Sequence, residues 1–587
     1  MFRYLLVDFD DTLYNYTTCY THAVNRMFIT IEHHINHNLH SSQKTTIVKL
    51  EKLFKVVKSQ YQNMTHGIAA SHNKFNYIKR FLNELQITDN NYILSIYNTF
   101  VEDFNSQLCL YEGVTDFLET CKKNNIILLM LTNNLSYEQF SKLEHLNISN
   151  YFQHIYCSEE YDCEKPDPKL FYTVLGENNI SRDDIAIVGD SMKCDIAGAN
   201  QTGVFGFYFT NDSFVTINKQ TDYITFSSFK HLSLIFKNYF TESIHFKNMC
   251  SYCGERFDLV QAGGGNISFK TDNTLFVKSS GCNLTDIDVH KNYVGVKYKN
   301  IIHDINNIIK TKDKKQLEKY SSKIVNDNIL FLKKYKPSIE TTMHCITKKY
   351  TVHIHPLAFS SICGLSDCKD LINKHFNDVC FIDYVTPGIS VTQQLMDKYT
   401  NENIIFLKNH GIVVTSDDPN QIYNLLENTI KTLEKISGTS NAFNKYKHTN
   451  YISSILKEYT NENTISSFID IQGINDDIEK TDKIIGSTFF PDKLIYCGES
   501  LCIFENNLDI DRKSLVDYIN THHDIPKIIR IETFYYTVSS SLKKNRDIQD
   551  VLKSHILTYH EKHENLKKEE IEYLNNWDAE KYRKKIE

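Results

Sequence analysis

Proline is scarce in this 587-residue sequence, 8 in all, and no Pro-rich or Gly/Ser-rich stretch interrupts it. Nothing in it reads as a flexible or extended tether between modules. A basic excess is also missing: 65 Lys and Arg stand against 72 Asp and Glu, a formal charge of −7. That argues against an electrostatic nucleic-acid binder. No apolar run is long enough to span a bilayer. The chain opens on a strand-like run rather than a secretory leader, so no membrane partner is expected. The 15 cysteines are an odd set with no disulfide framework. Together these features point to a reducing, cytoplasmic setting. Cys250-Ser251-Tyr252-Cys253 has the spacing of half a zinc site, but no second pair answers it, and it reads as helix packing. Abundant Asn, Ile, Lys and Tyr beside so little Pro reads as coding bias rather than function.

What is present is enough apolar sequence, 41% of residues, for a sizeable core. The length suggests three to four domains. Two stretches carry chemistry. The first begins at residues 3–9, Arg3-Tyr4-Leu5-Leu6-Val7-Asp8-Phe9, an apolar run of strand length ending in acid, and continues Asp8-Phe9-Asp10-Asp11-Thr12-Leu13-Tyr14. Carboxylates at i and i+2 past a buried strand can converge on one cation, and are costly without one. Three further segments follow in order: Ile126 to Leu131 ending in Thr132-Asn133-Asn134; Glu164-Lys165-Pro166-Asp167-Pro168; and Ile185-Ala186-Ile187-Val188-Gly189-Asp190-Ser191, with Asp195 close behind. Apolar runs ending in acid or hydroxyl suit a doubly wound parallel sheet with chemistry at the strand ends. Residues 15–112 carry helical patterning. The cluster His33, His34 and His37 reads as a solvated helix end.

These four segments resemble the motifs of the haloacid dehalogenase-like (HAD) hydrolases, over residues 1 to about 212. The resemblance implies a Rossmann-like domain over about 1–235 with a helical cap at about 15–112. It implies Asp8 as nucleophile toward phosphate and Asp10 as acid/base. Mg²⁺ would be held by Asp8, the Asp10 carbonyl and Asp190, with Asp195 steadying Asp190 and the metal waters. Thr132, Asn133 and Lys165 would contact the transferring phosphoryl group.

The second stretch centres on His353-Ile354-His355-Pro356 and Lys408-Asn409-His410-Gly411. In an extended segment His353 and His355 share a face. Two neutral imidazoles and a third from elsewhere would hold a divalent metal with one tetrahedral position open. Upstream, Pro337-Ser338-Ile339-Glu340 offers a carboxylate as base. Gly263-Gly264-Gly265-Asn266-Ile267-Ser268 and Ser279-Ser280-Gly281 are small-residue turns whose N–H groups can approach an anion. In sequence, 314–334 reads as helix, 351–355 as strand and 419–437 as an amphipathic helix.

This ordered series resembles the class II aldolase/adducin family over about 245–440, and its long sugar-aldolase branch most closely. The resemblance implies an α/β/α domain around a mainly antiparallel sheet. It implies zinc, or a similar divalent metal, on His353, His355 and His410, and Glu340 as the proton-transfer base. A phosphate would lie near Asn266, Ser268, Ser280, Gly281 and Ser338. Cys282 departs from the Thr of many relatives. Relatives form tetramers, so a homo-oligomer is expected. The domain junction is placed near 230–245. Residues 441–587 form an α+β C-terminal extension, in which Phe489 to Gly498 and Trp577 to Arg583 resemble the tail of that branch. The run 560–572 reads as a solvated helix face. No dinucleotide fingerprint follows, so no dehydrogenase is expected. The combined expectation is a bifunctional enzyme acting on a phosphosugar: a phosphomonoester hydrolase joined to an aldolase that cleaves or forms a C–C bond. Sugar-phosphate epimerase, dehydratase and non-catalytic adducin-like interaction module are the alternatives for the second half.

Overall fold

A computed structural model describes residues 2–38, 45–210, 223–309, 314–440, 442–460, 464–470 and 477–575. The chain divides into two compact units, Met1–Glu242 with Leu330–Lys334, and Ser243–Ile329 with Tyr335–Glu587.

The first unit is built on strands β1 (Tyr4–Val7), β2 (Ile127–Thr132), β3 (Phe152–Cys157), β4 (Ile185–Gly189), β5 (Phe205–Phe209) and β6 (Tyr223–Phe226), ordered β3-β2-β1-β4-β5-β6. All five pairings are parallel. Parallel strands are covered on both faces, which is why they are continuous apolar runs; Leu5, Leu6, Val7 and every residue of β4 but Gly189 itself are among the buried hydrophobics at 0% exposure. The strand order reverses beside β1, so the carboxyl ends of β1, β2 and β4 flank one crevice. Helices α1 (Tyr16–Asn38), α2 (Ile47–Met64), α3 (Lys74–Glu84) and α4 (Asn90–Asn105) fill the insertion between β1 and β2. They are followed by α5 (Val114–Lys123), and α6 (Ser136–His145) comes next after β2. His33 and His37 are exposed near the end of α1.

A continuous helix, Phe229–Gly254, occupies the stretch where the sequence suggested a junction. Phe229, Leu232, Phe236, Tyr239, Phe240, Phe246, Cys250 and Cys253 on it are buried. Their three- and four-residue spacing is the apolar stripe of an amphipathic helix. Cys250 and Cys253 belong to that stripe and are buried.

A second sheet is formed by β7 (Asn266–Lys270), β8 (Leu275–Lys278), β9 (Tyr293–Val296), β10 (Ile329–Phe331), β11 (Tyr350–Ile354), β12 (Val379–Ile382), β13 (Ile404–Leu407) and β14 (Gly411–Ser416), ordered β10-β9-β8-β7-β11-β14-β13-β12. Pairings β7/β8, β8/β9, β7/β11, β11/β14 and β13/β14 are antiparallel, and β12/β13 is parallel. The expected helix over 314–334 ends at Asp327, because Ile329–Phe331 joins the sheet as β10. The amphipathic helix near 419–437 is Pro419–Ser437, started by the Asp418 side chain on the N–H of Asn420 and ended by Gly438 in the left-handed region. A further sheet ordered β15-β18-β17-β16, from β15 (Ile465–Phe468), β16 (Cys502–Phe504), β17 (Ile528–Ile531) and β18 (Phe534–Ser539), follows with its helices. Helix in the run 560–572 begins only at Lys568, and Trp577 to Arg583 lies outside the described residues. Among the described residues no helix is long and apolar enough to cross a membrane.

Candidate active sites

In the first unit, Asp8 leaves the end of β1, and Lys165 lies with its Nζ 2.5 Å from Asp8 Oδ1, 2.6 Å from Asp195 Oδ1 and 2.8 Å from the Leu131 carbonyl. The Thr12 hydroxyl lies 2.8 Å from Asp8 Oδ2 and 2.9 Å from Asp190 Oδ1, and accepts from the Asp190 N–H. Ligand atoms of Asp8, Asp190 and Asp195 fall within 4.8 Å of one another. Burial, then the Asp8 charge, pushes the Asp190 carboxyl upward. Burial pushes Asp195 upward too, against the opposing pull of Lys165. Three carboxylates share one lysine here, an excess of negative charge that a hard cation would relieve. The oxygen set fits Mg²⁺. Both oxygens of Asp195 are engaged, Oδ1 by Lys165 and Oδ2 by the Ser191 N–H at 2.9 Å, and so are both of Asp8, by Lys165 and Thr12. Asp190, with Oδ1 facing Thr12, is the carboxylate with most capacity for an ion.

A π-helical turn, Met192–Ile196, carries Asp195 back toward β4. Its approach depends on Gly189, where an added Cβ would sit 2.4 Å from the Asp195 carboxyl.

Asp10 points into a different set of partners. Oδ1 accepts from Lys142 Nζ at 2.6 Å and Tyr14 at 2.5 Å, and Oδ2 from Asn134 at 3.0 Å and Gln139 at 3.1 Å. Burial is the largest single influence and would raise its carboxyl pKa, but Lys142, Tyr14 and Lys74 together outweigh it and hold the group well below the usual carboxylate range. Gln139 also donates to Thr132 Oγ1 at 2.6 Å. Asn133, expected against phosphate, has its side chain spent on the Lys165 backbone: Nδ2 donates to its carbonyl and Oδ1 accepts its N–H. Thr12, Asn134, Gln139 and Lys142 were missed in sequence. Thr12 stood inside the quoted motif, one helical turn after Asp8. Gln139 and Lys142 are an i, i+3 pair on α6, just after the second motif. A cavity of about 270 Å³ opens between α4 and α6, lined by Lys74, Tyr97, Phe100, Phe104, Glu138 and Lys142 among others.

In the second unit, His353 is fully buried on β11, paired with Asn266 on one side and Val413 on the other. His355 follows one residue beyond the strand, its N–H held by the Leu259 carbonyl at 3.1 Å. His410 sits in the turn that joins β13 to β14. The ring centroids of the three histidines lie 4.8, 4.9 and 5.2 Å apart. His353 Nδ1 donates to the Ile412 carbonyl at 3.0 Å, which leaves Nε2 bare, 3.2 Å from His355 Nε2. Tetrahedral zinc with Zn–N of about 2.0–2.1 Å sets ligand nitrogens about 3.3 Å apart, so the spacing fits. Glu340 Oε2 lies 3.4 Å from His353 Nε2, and Oε1 lies 3.4 Å from His410 Nε2. Oε1 is buried with no hydrogen-bond partner among the described residues, a further sign that the site suits a cation. Gly411 makes the cluster possible. A Cβ there would fall 2.4 Å from the Ile354 carbonyl and 2.6 Å from the His355 ring.

Two residues expected at the phosphate are engaged elsewhere. Ser268 is fully buried, and its hydroxyl lies 2.7 Å from His344 Nδ1. Asn266 Oδ1 accepts from His344 Nε2, and Asn266 Nδ2 donates to Glu340 Oε2 at 2.6 Å. The Ser280 N–H is bonded to the Lys336 carbonyl, while Ser280 and Gly281 themselves are exposed. Ser338 Oγ accepts the Glu340 N–H at 3.3 Å. Cys282 Sγ turns to Ser279, 3.2 Å from its Oγ. His344, one helical turn after Glu340, was not singled out in sequence.

Burial, reinforced by His353 and His410, lowers the His355 pKa to about 4, and burial lowers His410. Imidazoles so held stay neutral below the ordinary His range near 6.5. A divalent ion loaded onto these imidazoles would therefore be expected to survive dialysis at pH 5.5 and to be lost toward pH 4, measured by elemental analysis. In the metal-free protein the unfolded chain binds more protons than the native one between about 6.5 and about 4. Stability of this unit should fall as pH drops through that window.

Residues 5–207 match the model of the haloacid dehalogenase-like hydrolases, and residues 248–435 that of the class II aldolase and adducin N-terminal domain. The chain joins a HAD-like hydrolase region to a class II aldolase/adducin region. Curated relatives include phosphatases. A ribulose-1,5-bisphosphate 5-phosphatase of Halopiger xanaduensis is 26% identical over 34% of this chain and 81% of its own length. A glyceraldehyde 3-phosphate phosphatase of Methanopyrus kandleri is 32% identical over 16% of this chain and 40% of its own length, and one of Pyrococcus abyssi 26% over 36% and 82%. Among solved structures, the N-terminal class II aldolase domain of a Thermoplasma acidophilum protein is 24% identical with a TM-score of 0.29, covering 32% of this chain and 91% of that domain.

Proposed function

We propose that the protein is a two-site enzyme of sugar-phosphate chemistry, a phosphomonoester hydrolase joined to a metal-dependent lyase. The observation that carries this reading is that each unit gathers its own group of side chains that could hold a metal ion, Asp8, Asp190 and Asp195 in one and His353, His355 and His410 in the other. The sugar-phosphate phosphatases among the relatives support the substrate class, as does a cavity beside Lys142 of the size of a small sugar.

In the hydrolase region Asp8, Asp190 and the Asp10 carbonyl would hold Mg²⁺, which would offset the charge between carboxylate and phosphate. Asp8 attacks phosphorus; an Asp8–phosphate bond forms as the bond to the leaving alcohol breaks. Lys165 and Thr132 stabilise the phosphoryl oxygens. Asp10 delivers a proton to the leaving oxygen, then accepts one from the water that hydrolyses the aspartyl phosphate. Four donors hold Asp10 ionised in the substrate-free site, the state required for the second step; for the first, the carboxyl takes up a proton from solvent as substrate binds and passes it to the leaving oxygen. Gly189→Ala should displace Asp195 from Lys165 and lower phosphate release on the order of 10²-fold, with melting temperature followed alongside. Parental activity in this variant would show that the Asp195 position is not needed.

In the aldolase region His353, His355 and His410 would hold zinc, which would polarise the carbonyl and hydroxyl oxygens of a ketose phosphate. Glu340 moves the proton α to the carbonyl. Ser280, Gly281 and Ser338 remain the residues proposed to face the phosphate. The test is a screen of triose, pentose and hexose phosphates that follows inorganic phosphate and aldehyde together. Exchange of the α-proton without aldehyde would indicate epimerase or dehydratase chemistry. Failure to take up zinc would favour an interaction module.

A further inference from the structure

The hydrogen bonds around Glu340 run in one direction. Asn266 Nδ2 faces the Glu340 carboxylate, so Oδ1 must face His344, and a carbonyl oxygen can only accept. His344 Nε2 therefore carries the proton. The imidazole is fully buried, which disfavours its charged form, so Nδ1 is bare and accepts from Ser268. The chain reads Ser268 O–H to His344, His344 N–H to Asn266, Asn266 N–H to Glu340, every donor pointing at the carboxylate. Aligned hydrogen bonds polarise one another. They end on Oε2, while Oε1 has no hydrogen-bond partner among the described residues and lies 3.4 Å from His410 Nε2.

We infer that Ser268, His344 and Asn266 are positioning residues that pin Oε2 of Glu340, that Oε1 is the oxygen that moves the substrate proton, and that Asn266 does not ligand phosphate. The inference rests on Glu340 being the base. It is independent of which sugar phosphate is used.

The test uses the full-length, zinc-loaded protein and dihydroxyacetone phosphate in D₂O, with loss of the α-proton followed by NMR. Asn266→Asp puts an acceptor against Glu340, and His344→Leu removes the donor to Asn266. Both should lower kcat on the order of 10²-fold with KM nearly unchanged and zinc content at the parental level. His344→Gln restores an N–H toward Asn266 and should recover much of the loss. A rise in KM with kcat preserved in Asn266→Asp would make Asn266 a phosphate ligand and overturn the inference. A second measurement needs no turnover: ¹⁵N NMR of histidine-labelled protein, with His344 assigned by its absence in His344→Gln. The Nε2–H tautomer is expected. The Nδ1–H tautomer would overturn the chain even in an active enzyme. A parental protein that shows the Nε2–H tautomer but exchanges no proton would instead overturn the lyase reading and leave the chain of hydrogen bonds standing.

Discussion

Asp8→Asn is expected to abolish phosphate release, by on the order of 10⁴-fold or more, in a protein that still folds. The amide is nearly isosteric but a poor nucleophile toward phosphorus. Folding should survive because Lys165 keeps its 2.6 Å contact with Asp195 and its 2.8 Å contact with the Leu131 carbonyl. Thr12 keeps its bonds with Asp190. One negative charge also leaves a cluster that carries too many. The measurement is phosphate release from the best substrate in the screen, with the melting curve as control. The full chain is the object to test, since a cut near residue 235 would fall inside the helix Phe229–Gly254. Parental turnover by this variant would remove Asp8 as nucleophile.

The second large effect is expected at Glu340. Glu340→Gln should keep zinc and lose α-proton exchange by about 10²–10⁴-fold, because an amide cannot take the proton. His355→Ala should instead lose the metal, since it removes one of three imidazoles whose reactive nitrogens converge. Both variants should retain the phosphatase activity, as the two sets share no residue. Exchange at the parental rate by Glu340→Gln would show that another group is the base. Loss of phosphatase activity in a folded His355→Ala protein would show that the two sites are coupled.

The parts of the sites legible in sequence were those fixed by strand ends. A buried parallel strand is a continuous apolar run, so Asp8, Thr132 and Asp190 are marked by where the run stops. The His-x-His pair was legible because strand geometry puts both residues on one face. Residues that reach a site from a helix were not. Lys142 and Gln139 matter because α6 returns beside β1, and His344 because one helical turn separates it from Glu340. Neither placement is encoded in the local pattern. Gly189 and Gly411 were hidden for a related reason: each is needed for the space it leaves, which only the folded backbone defines. Ile329–Phe331 was read as helix because a three-residue strand is too short to show alternation. The boundary between the two units, Glu242/Ser243, falls inside the 230–245 stretch placed on composition, but the helix Phe229–Gly254 that runs through it was not read, although its aromatic residues recur at helical spacing.

The three histidines come from β11, the residue beyond it, and the turn into β14, with His353 opposite Val413 and Ile354 opposite Ile412. Sliding β11 along β14 by one residue would turn His353 away from His410, because side chains alternate faces. A metal ion gripping all three nitrogens would therefore favour one register over its neighbours. Because it would bind the paired strands and not the open chain, it would also raise the cost of parting them. Zinc would then proofread strand alignment as well as serve chemistry, and chelation should loosen amide-exchange protection along β11 and β14 before it is felt elsewhere in the sheet.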